Sequence, residues 1–416
     1  MTPDDIKRLF SPGVRALVER YIGSDPVQVA LRAGGPDAAE AASQVKYLQR
    51  ARKKLPSYYA ARCVLPPLAF EQSSSEACAD FPEREGACCI DLTCGLGVDS
   101  FGLSRRFARV VSVERDPAVA LLAASNFRLL GASGIEVVNA SAEEFVRWLE
   151  EGGDGSFPCV RSCTGEEEPR CAAFPVLPVD LIYVDPDRRG GKGEKRVLLE
   201  DCSPDVMALM PRLLALARRV VVKCSPLFDV EEAFRLFGPA CRVEAVSEGG
   251  ECKQVVIETG EGIVSPTKAV RAVGIGHMEF PAAGERDLRH PAPSSWERFR
   301  WLILPDVALQ KARLVCRHYD GPGLWCGGEN GCVFAEELPE GGLWGRALRI
   351  VSVEPYRPKE IKRRMKEQGI ARLTILRRDF PFSNGQIAAA LGVKEGGTMQ
   401  AVFTRAGEKL LAVWVD

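Results

Sequence analysis

Asp91-Leu92-Thr93-Cys94-Gly95-Leu96-Gly97-Val98-Asp99 decides the fold of this chain. The apolar run Ala87-Cys88-Cys89-Ile90 precedes it and helix-forming residues follow, so the context is strand, glycine turn, helix. A glycine pair lets the backbone approach a ligand closely at the carboxyl edge of a parallel sheet, where doubly wound folds bind nucleotides. Outward from this turn, between Ala87 and Glu258, short apolar runs alternate with helical stretches. ACCIDL, VVSVE, IEVVN, DLIYVD and RVVVK read as strands, with helices predicted over 100–107, 117–131, 141–151 and 202–218. This alternation predicts a Rossmann-like α/β domain whose parallel sheet is covered on both faces. RVEAVSE and CKQVVIETG follow one another without a helix and predict an antiparallel pair that brings the sheet to seven strands. Residues 152–178 have no usable period and read as an inserted surface loop.

The chemistry gathers at the strand ends. Asp91 closes the first strand and can attract and accept a hydrogen bond from a ligand ammonium. The third glycine that a dinucleotide site needs near Ser100 is absent. Glu114 closes the second strand, seventeen residues after Gly97, where an acid holds both hydroxyls of a ribose. Thr93, Gly95, Gly97 and Asp99 complete the ligand-facing turn. Asn139 and Ser141 follow the third strand, where the nucleobase of such a ligand lies; the alternative is a polar cap before the helix AEEF. Asp185-Pro186-Asp187-Arg188-Arg189 follows the fourth strand on the same edge, either facing substrate or neutralising itself at the surface. Lys223 and Cys224 end the fifth strand. Lys223 is placed to approach substrate, and a nucleophilic Cys224 competes with an inert buried thiol.

At 416 residues the chain calls for two or three domains, and its 46% apolar and 27% charged composition is that of a soluble globular protein. No apolar window approaches the roughly 18 residues of a membrane span, and the start MTPDDIKRLF lacks signal-peptide form, so the cytoplasm is expected and no membrane partner. The fifteen cysteines are scattered and read as reduced thiols. Cys159, Cys163 and Cys171 contain no CxxC pair, so no metal site is expected. Three histidines, none near a motif, leave histidine catalysis little support.

Thr2-Pro3-Asp4-Asp5 reads as a helix start, opening a helical region over 1–69. A helix over 37–54 ends in Lys46, Arg50, Arg52, Lys53 and Lys54, a solvated face or a nucleic-acid contact. From Arg346 to Asp416 fourteen Lys/Arg stand against seven Asp/Glu, a balance of +7 in a chain of net charge −1. That segment spells strand, helix, strand, helix, strand, strand, a small α+β sandwich of ferredoxin-like kind. Its +7 charge suggests an anionic partner, with Lys362, Arg363, Arg377 and Arg378 as candidate contacts alongside Arg189 and Lys223. On the helix predicted over 357–369, Ile361 and Met365 face the sheet.

The DxxxGxGxD turn, the strand-end Glu114 and DLIYVDP together resemble class I S-adenosylmethionine-dependent methyltransferases over roughly residues 70–260. Phe70 to Ala77, with Gln72 and Ser75, resembles the segment that covers the cofactor in relatives of trimethylguanosine synthase. Residues 346–416, with RRDFPFSNGQIAAALGVKEGG, look like the THUMP-like domain that follows such a methyltransferase in a bacterial family. The resemblance implies four regions: helices over 1–69, methyltransferase over 70–260, a linker and small intermediate domain over 261–345, and a basic THUMP-like domain over 346–416. It implies S-adenosylmethionine as cofactor and, as catalytic residues, Asp185, Pro186, Asp187 and Arg188. Amino-methyltransferases carry Asp/Asn-Pro-Pro-aromatic there; Asp187 replaces the second proline and Arg188 the aromatic, which weakens an adenine-amine target. Methyl transfer to a nucleic acid, most readily a base in RNA, is the expectation; a catalytically idle RNA-binding protein and a small-molecule methyltransferase are the alternatives.

Overall fold

A computed structural model describes residues 1–81, 84–153, 157–164, 171–188, 199, 202–282, 293, 295–328 and 330–416. The chain divides into two compact units, residues 1–243 with 254–265 and residues 244–253 with 266–416.

The first unit begins with helices α1 (Pro3–Leu9), α2 (Pro12–Tyr21), α3 (Pro26–Arg32), α4 (Ala38–Lys54), α5 (Pro56–Ala60) and α6 (Pro67–Gln72). Thr2, Ser11 and Asp25 cap the first three with side-chain oxygens, and proline occupies the first turn of each. Strands β1 (Gly86–Asp91), β2 (Phe107–Glu114) and β3 (Ile135–Asn139) alternate with α7 (Val98–Leu103), α8 (Pro117–Leu129) and α9 (Ala142–Glu150). The expected loop over 152–178 instead contains a short antiparallel pair, β4 (Phe157–Pro158) and β5 (Cys171–Ala172). Its physical reason is aromatic: Phe157 and Phe174 pack 5.3 and 5.2 Å from the Trp148 ring. Then come β6 (Val179–Val184), a second short pair β7 (Asp187–Arg188) and β8 (Cys202–Ser203), α10 (Val206–Leu216), β9 (Ala217–Cys224), α11 (Val230–Phe237), β10 (Cys241–Glu248) and β11 (Glu251–Gly260). The order is β10-β11-β9-β6-β1-β2-β3, with β3, β2, β1, β6 and β9 parallel and β11 antiparallel to β9.

Why the strands form is visible in burial. Ile90, Val111, Val113, Ile182, Val184, Val220 and Val222 are all but excluded from solvent on one face of the sheet, in a core shared with α9, α10 and α11, and each such side chain contributes about 1.5–3 kcal/mol. The helix entries carry their own signals. Asp116 caps α8 with Pro117 in the first turn, and Ser141 and Glu144 form a capping box at α9.

The second unit contains β12 (Thr267–Ala272) and β13 (Gly276–Pro281), which pair antiparallel, then β14 (Trp301–Pro305), α12 (Val307–Lys311), α13 (Val315–His318), β15 (Leu324–Cys326) and β16 (Val333–Ala335). It ends with β17 (Gly345–Pro355), α14 (Pro358–Glu367), β18 (Arg372–Arg377), α15 (Asn384–Leu391), β19 (Lys394–Ala406) and β20 (Lys409–Val415). One sheet runs β15-β16-β14-β17-β20-β19-β18, so strands before residue 345 and after it share a single ladder. The connectivity over 345–416 is β-α-β-α-β-β; a ferredoxin-like sheet has β-α-β-β-α-β, and the difference lies in the parallel pair β18/β19. Ile361 and Met365 on α14 are each 1% exposed, which turns the intervening cations outward. The expectation of reduced thiols is corrected at one place: Cys316 and Cys326, with Cα atoms 5.5 Å apart, are disulfide-bonded. No helix among the described residues is long and apolar enough to cross a membrane.

Candidate functional site

At the carboxyl edge of the first unit's sheet lies a cavity of about 710 Å³. The turn after β1 forms its floor. Gly95 and Gly97 have φ of +54° and +86°, a left-handed backbone that favours glycine. A Cβ on Gly97 would also come within 2.3 Å of the Phe127 ring. Glu114 fastens the turn, accepting hydrogen bonds from the Gly95 and Asp116 amides at 2.9 Å each. One backbone donor per carboxylate oxygen leaves each a further lone pair toward the cavity. Burial raises the Glu114 carboxyl above its usual range, opposed by the Asp116 and Gly95 amides.

Asp91 lies elsewhere than its strand-end position suggests. It is fully buried, with Oδ1 accepting from the Thr93 amide at 2.9 Å and Oδ2 from the Ser100 hydroxyl at 2.5 Å. Ser112 donates in turn to Ser100 at 2.8 Å. Burial pushes the Asp91 carboxyl up to about 7. The cavity wall is made instead by Thr93, Cys94, Gly95, Gly97 and Asp99, so Asp91 braces the turn from beneath.

Asp185, after β6, is held from both sides. Its amide donates to Thr93 Oγ1 at 2.6 Å, and its Oδ2 accepts from Lys223 Nζ at 2.5 Å. Lys223 also donates to Asp99 Oδ2 at 2.9 Å and to Ser74 Oγ at 2.8 Å. A residue expected to reach toward substrate is therefore 12% exposed and bridges two acids and a serine. Burial opposes its charge, but Asp185 and Asp99 outweigh that and hold the ammonium well above its ordinary range. Burial raises the Asp185 carboxyl, and Lys223 pulls it back. The side chain of Asp185 remains 37% exposed.

Gln72, Ser73 and Ser74 at the end of α6 line the cavity, whereas Ser75 turns away and accepts from the Cys78 amide. Ser141 lines the cavity as the cap of α9. Asn139 does not line it; its amide nitrogen donates to the carbonyls of Glu114 and Arg115 at 2.8 and 3.1 Å, which shapes the turn after β2. Asp187 stands at the rim, 73% exposed and 3.6 Å from Arg115, which also donates to Ser203. Pro186 and Arg188 flank it in sequence, Arg188 within β7; Arg189 lies outside the described residues. Cys224 is buried and absent from the cavity lining, and burial pushes its thiol far up. Sequence reasoning missed Arg115 and the Ser74–Lys223 bond, for which no local motif exists. In the second unit Lys362, Arg363 and Arg377 are exposed and Arg378 half-buried; Arg363 lies 3.9 Å from Glu367, and Arg364 forks onto Glu354.

The comparisons with known proteins bear on this geometry. A crystal structure from Porphyromonas gingivalis W83, described as a candidate methyltransferase, superposes with a TM-score of 0.75 at 21% identity, covering 100% of this chain and 98% of that one. The chain has the class I methyltransferase fold. Residues 345–416 match the THUMP domain-like family model, so a THUMP-like segment follows the methyltransferase fold. A Streptococcus mutans protein described as a candidate methyltransferase and solved with SAH matches at 11% identity over 42% of this chain and 89% of that one, with a TM-score of 0.26. Precorrin-6y C5,15-methyltransferase from Geobacter metallireducens GS-15 matches at 14% over 44% and 84%, also at 0.26. No curated protein matches the sequence.

Proposed function

We propose that the first unit binds S-adenosylmethionine in this cavity and transfers its methyl group to a base of RNA. The charge of the cavity carries the reading. Asp99, Glu114, Asp116, Glu143, Asp185 and Asp187 line it; among the described residues the cations beside them are Arg115, the Met1 amino terminus and Lys223, which Asp99 and Asp185 share. A lining of that sign suits a ligand bearing a sulfonium and an ammonium and repels the pyrophosphate of a dinucleotide. When bound, S-adenosylmethionine supplies an electrophilic methyl on sulfur. Glu114 has free lone pairs for the ribose hydroxyls, and Asp99 takes over the role that the strand end suggested for Asp91. Asp185 presents Oδ1, which accepts no hydrogen bond among the described residues, to a donor such as an exocyclic amine. Asp187 and Arg115 stand at the rim, where a substrate enters.

The THUMP-like segment with its +7 balance supports an RNA substrate over a metabolite. Its cations are best removed by substitution: deleting 346–416 would strip β14 of its partner β17. Lys362→Gln with Arg363→Gln is expected to flatten the dependence of log affinity for RNA on log salt by about 1.4, at about 0.7 per lost phosphate contact. The deciding experiment incubates the purified protein with labelled S-adenosylmethionine and total RNA, DNA or metabolite extract. Label in RNA is the expected result. Tight NAD binding without S-adenosylmethionine binding by calorimetry overturns the cofactor reading.

A further inference from the structure

The acidity that suits the cavity to a cationic cofactor creates a problem for an RNA substrate, because its phosphates are repelled from the same walls. A base reaches such a cavity only when unstacked, most cheaply from a single strand, and the backbone beside it needs cations outside the cavity. Residues 38–72, which span α4 to α6, hold six Lys/Arg against Glu40 and Glu71, a balance of +4. Pro67, Leu68, Ala69 and Gln72 of α6 line the cavity, while Phe70 of the same helix turns away and is 1% exposed. Over that ring lie Arg50 at 5.3 Å and Lys54 at 4.7 Å from the centroid. Arg52 lies 5.0 Å from the Tyr59 centroid and Lys46 5.5 Å from that of Tyr47. An aromatic face under a cation orients the charged group while leaving its donors outward.

Lys46, Arg52 and Lys53 are exposed and make no ion pair among the described residues, whereas Arg50 is taken up by Glu71. The favourable end of the helix dipole accounts for cations in the last turn only. It gives no reason for Lys46, two turns upstream, nor for rings beneath four separate cations. We infer that Lys46, Arg52 and Lys53 of α4 form a track for the phosphates of single-stranded RNA, on a helix whose Tyr47 ring packs 5.4 Å from the Phe70 ring of α6. This rests on the reading of the cavity as the place where an RNA base is methylated.

The test uses the full chain and a fluorescein-labelled oligouridylate in anisotropy titrations over a range of salt. Lys46→Gln/Arg52→Gln/Lys53→Gln is expected to make the slope of log affinity against log salt less negative by about 2, at about 0.7 per contact. The melting temperature and calorimetric affinity for S-adenosylmethionine stay as in the unsubstituted protein. An unchanged slope and affinity for the oligonucleotide overturns the track. So does displacement of the RNA by polyglutamate at equal charge. Loss of slope in a protein that never binds S-adenosylmethionine keeps the track and removes the methyl-transfer reading, so the two fail separately.

Discussion

Asp91 and Asp185 both close parallel strands on the same edge of one sheet, and the structure gives them opposite surroundings. Asp91 is sealed, with its oxygens given to Thr93 and Ser100. Asp185 is clamped on one oxygen by Lys223 and keeps over a third of its surface toward the cavity. The difference teaches that a strand-end acid is read by what remains unsatisfied. One acid builds the turn; the other has an oxygen left for a ligand.

The sharpest break of this comparison is Asp185→Ala. Methyl transfer is expected to fall by about 10²–10³-fold, the loss typical of one preorganised group, with S-adenosylmethionine affinity within a few fold. Equal losses in calorimetry and turnover would place Asp185 on the cofactor.

Asp91→Ala is expected to act through folding. Removing a charged hydrogen-bond partner costs about 1.5–3 kcal/mol, read as a lower midpoint in urea, and cofactor affinity falls only as the turn loosens. The pH dependence separates bracing from binding. A carboxyl whose folded value is about 7 and whose unfolded value is about 3.9 binds more protons folded than unfolded between those limits. It therefore contributes stability below about pH 4 that is lost as pH rises toward 7. Asp91→Asn should lack this decline, so midpoints measured from pH 4 to 8 that fall equally in both proteins would remove Asp91 as its source.

Lys223→Met is expected to give the smallest effect, visible in shape more than in size. Without the ammonium the Asp185 carboxyl rises further, so the acid limb of the pH–rate profile moves to higher pH. Lys223→Arg should restore most of it. A profile that keeps its shape in the Met variant shows that Lys223 only ties Ser74 to Asp99.

The β-strands were legible because each is a short apolar run, as in VVSVE and DLIYVD, and the capping signals at Thr2, Asp116 and Ser141 were equally local. The THUMP-like segment showed its order of elements for the same reason. What the sequence concealed are pairings across distance. Lys223 meets residues 38, 124 and 149 positions away, and nothing in Lys-Cys-Ser-Pro announces them. Cys316 and Cys326 meet because α13 and β15 face one another, not through a recognisable spacing. Asp91 occupied the expected strand end, yet Ser100, one turn into α7, took the oxygen that a ligand was expected to use.

The sheet order has a consequence for how the protein is made. The strand that lies against β9 is β11, the last of the first unit to be synthesised, and it enters between β9 and β10. Until residue 260 has left the ribosome, the outer edge of β9 presents unpaired amides and carbonyls to whatever is nearby. The nascent chain must therefore carry a nearly finished cavity with an open seam, and the stretch from Gln254 to Gly260 closes it.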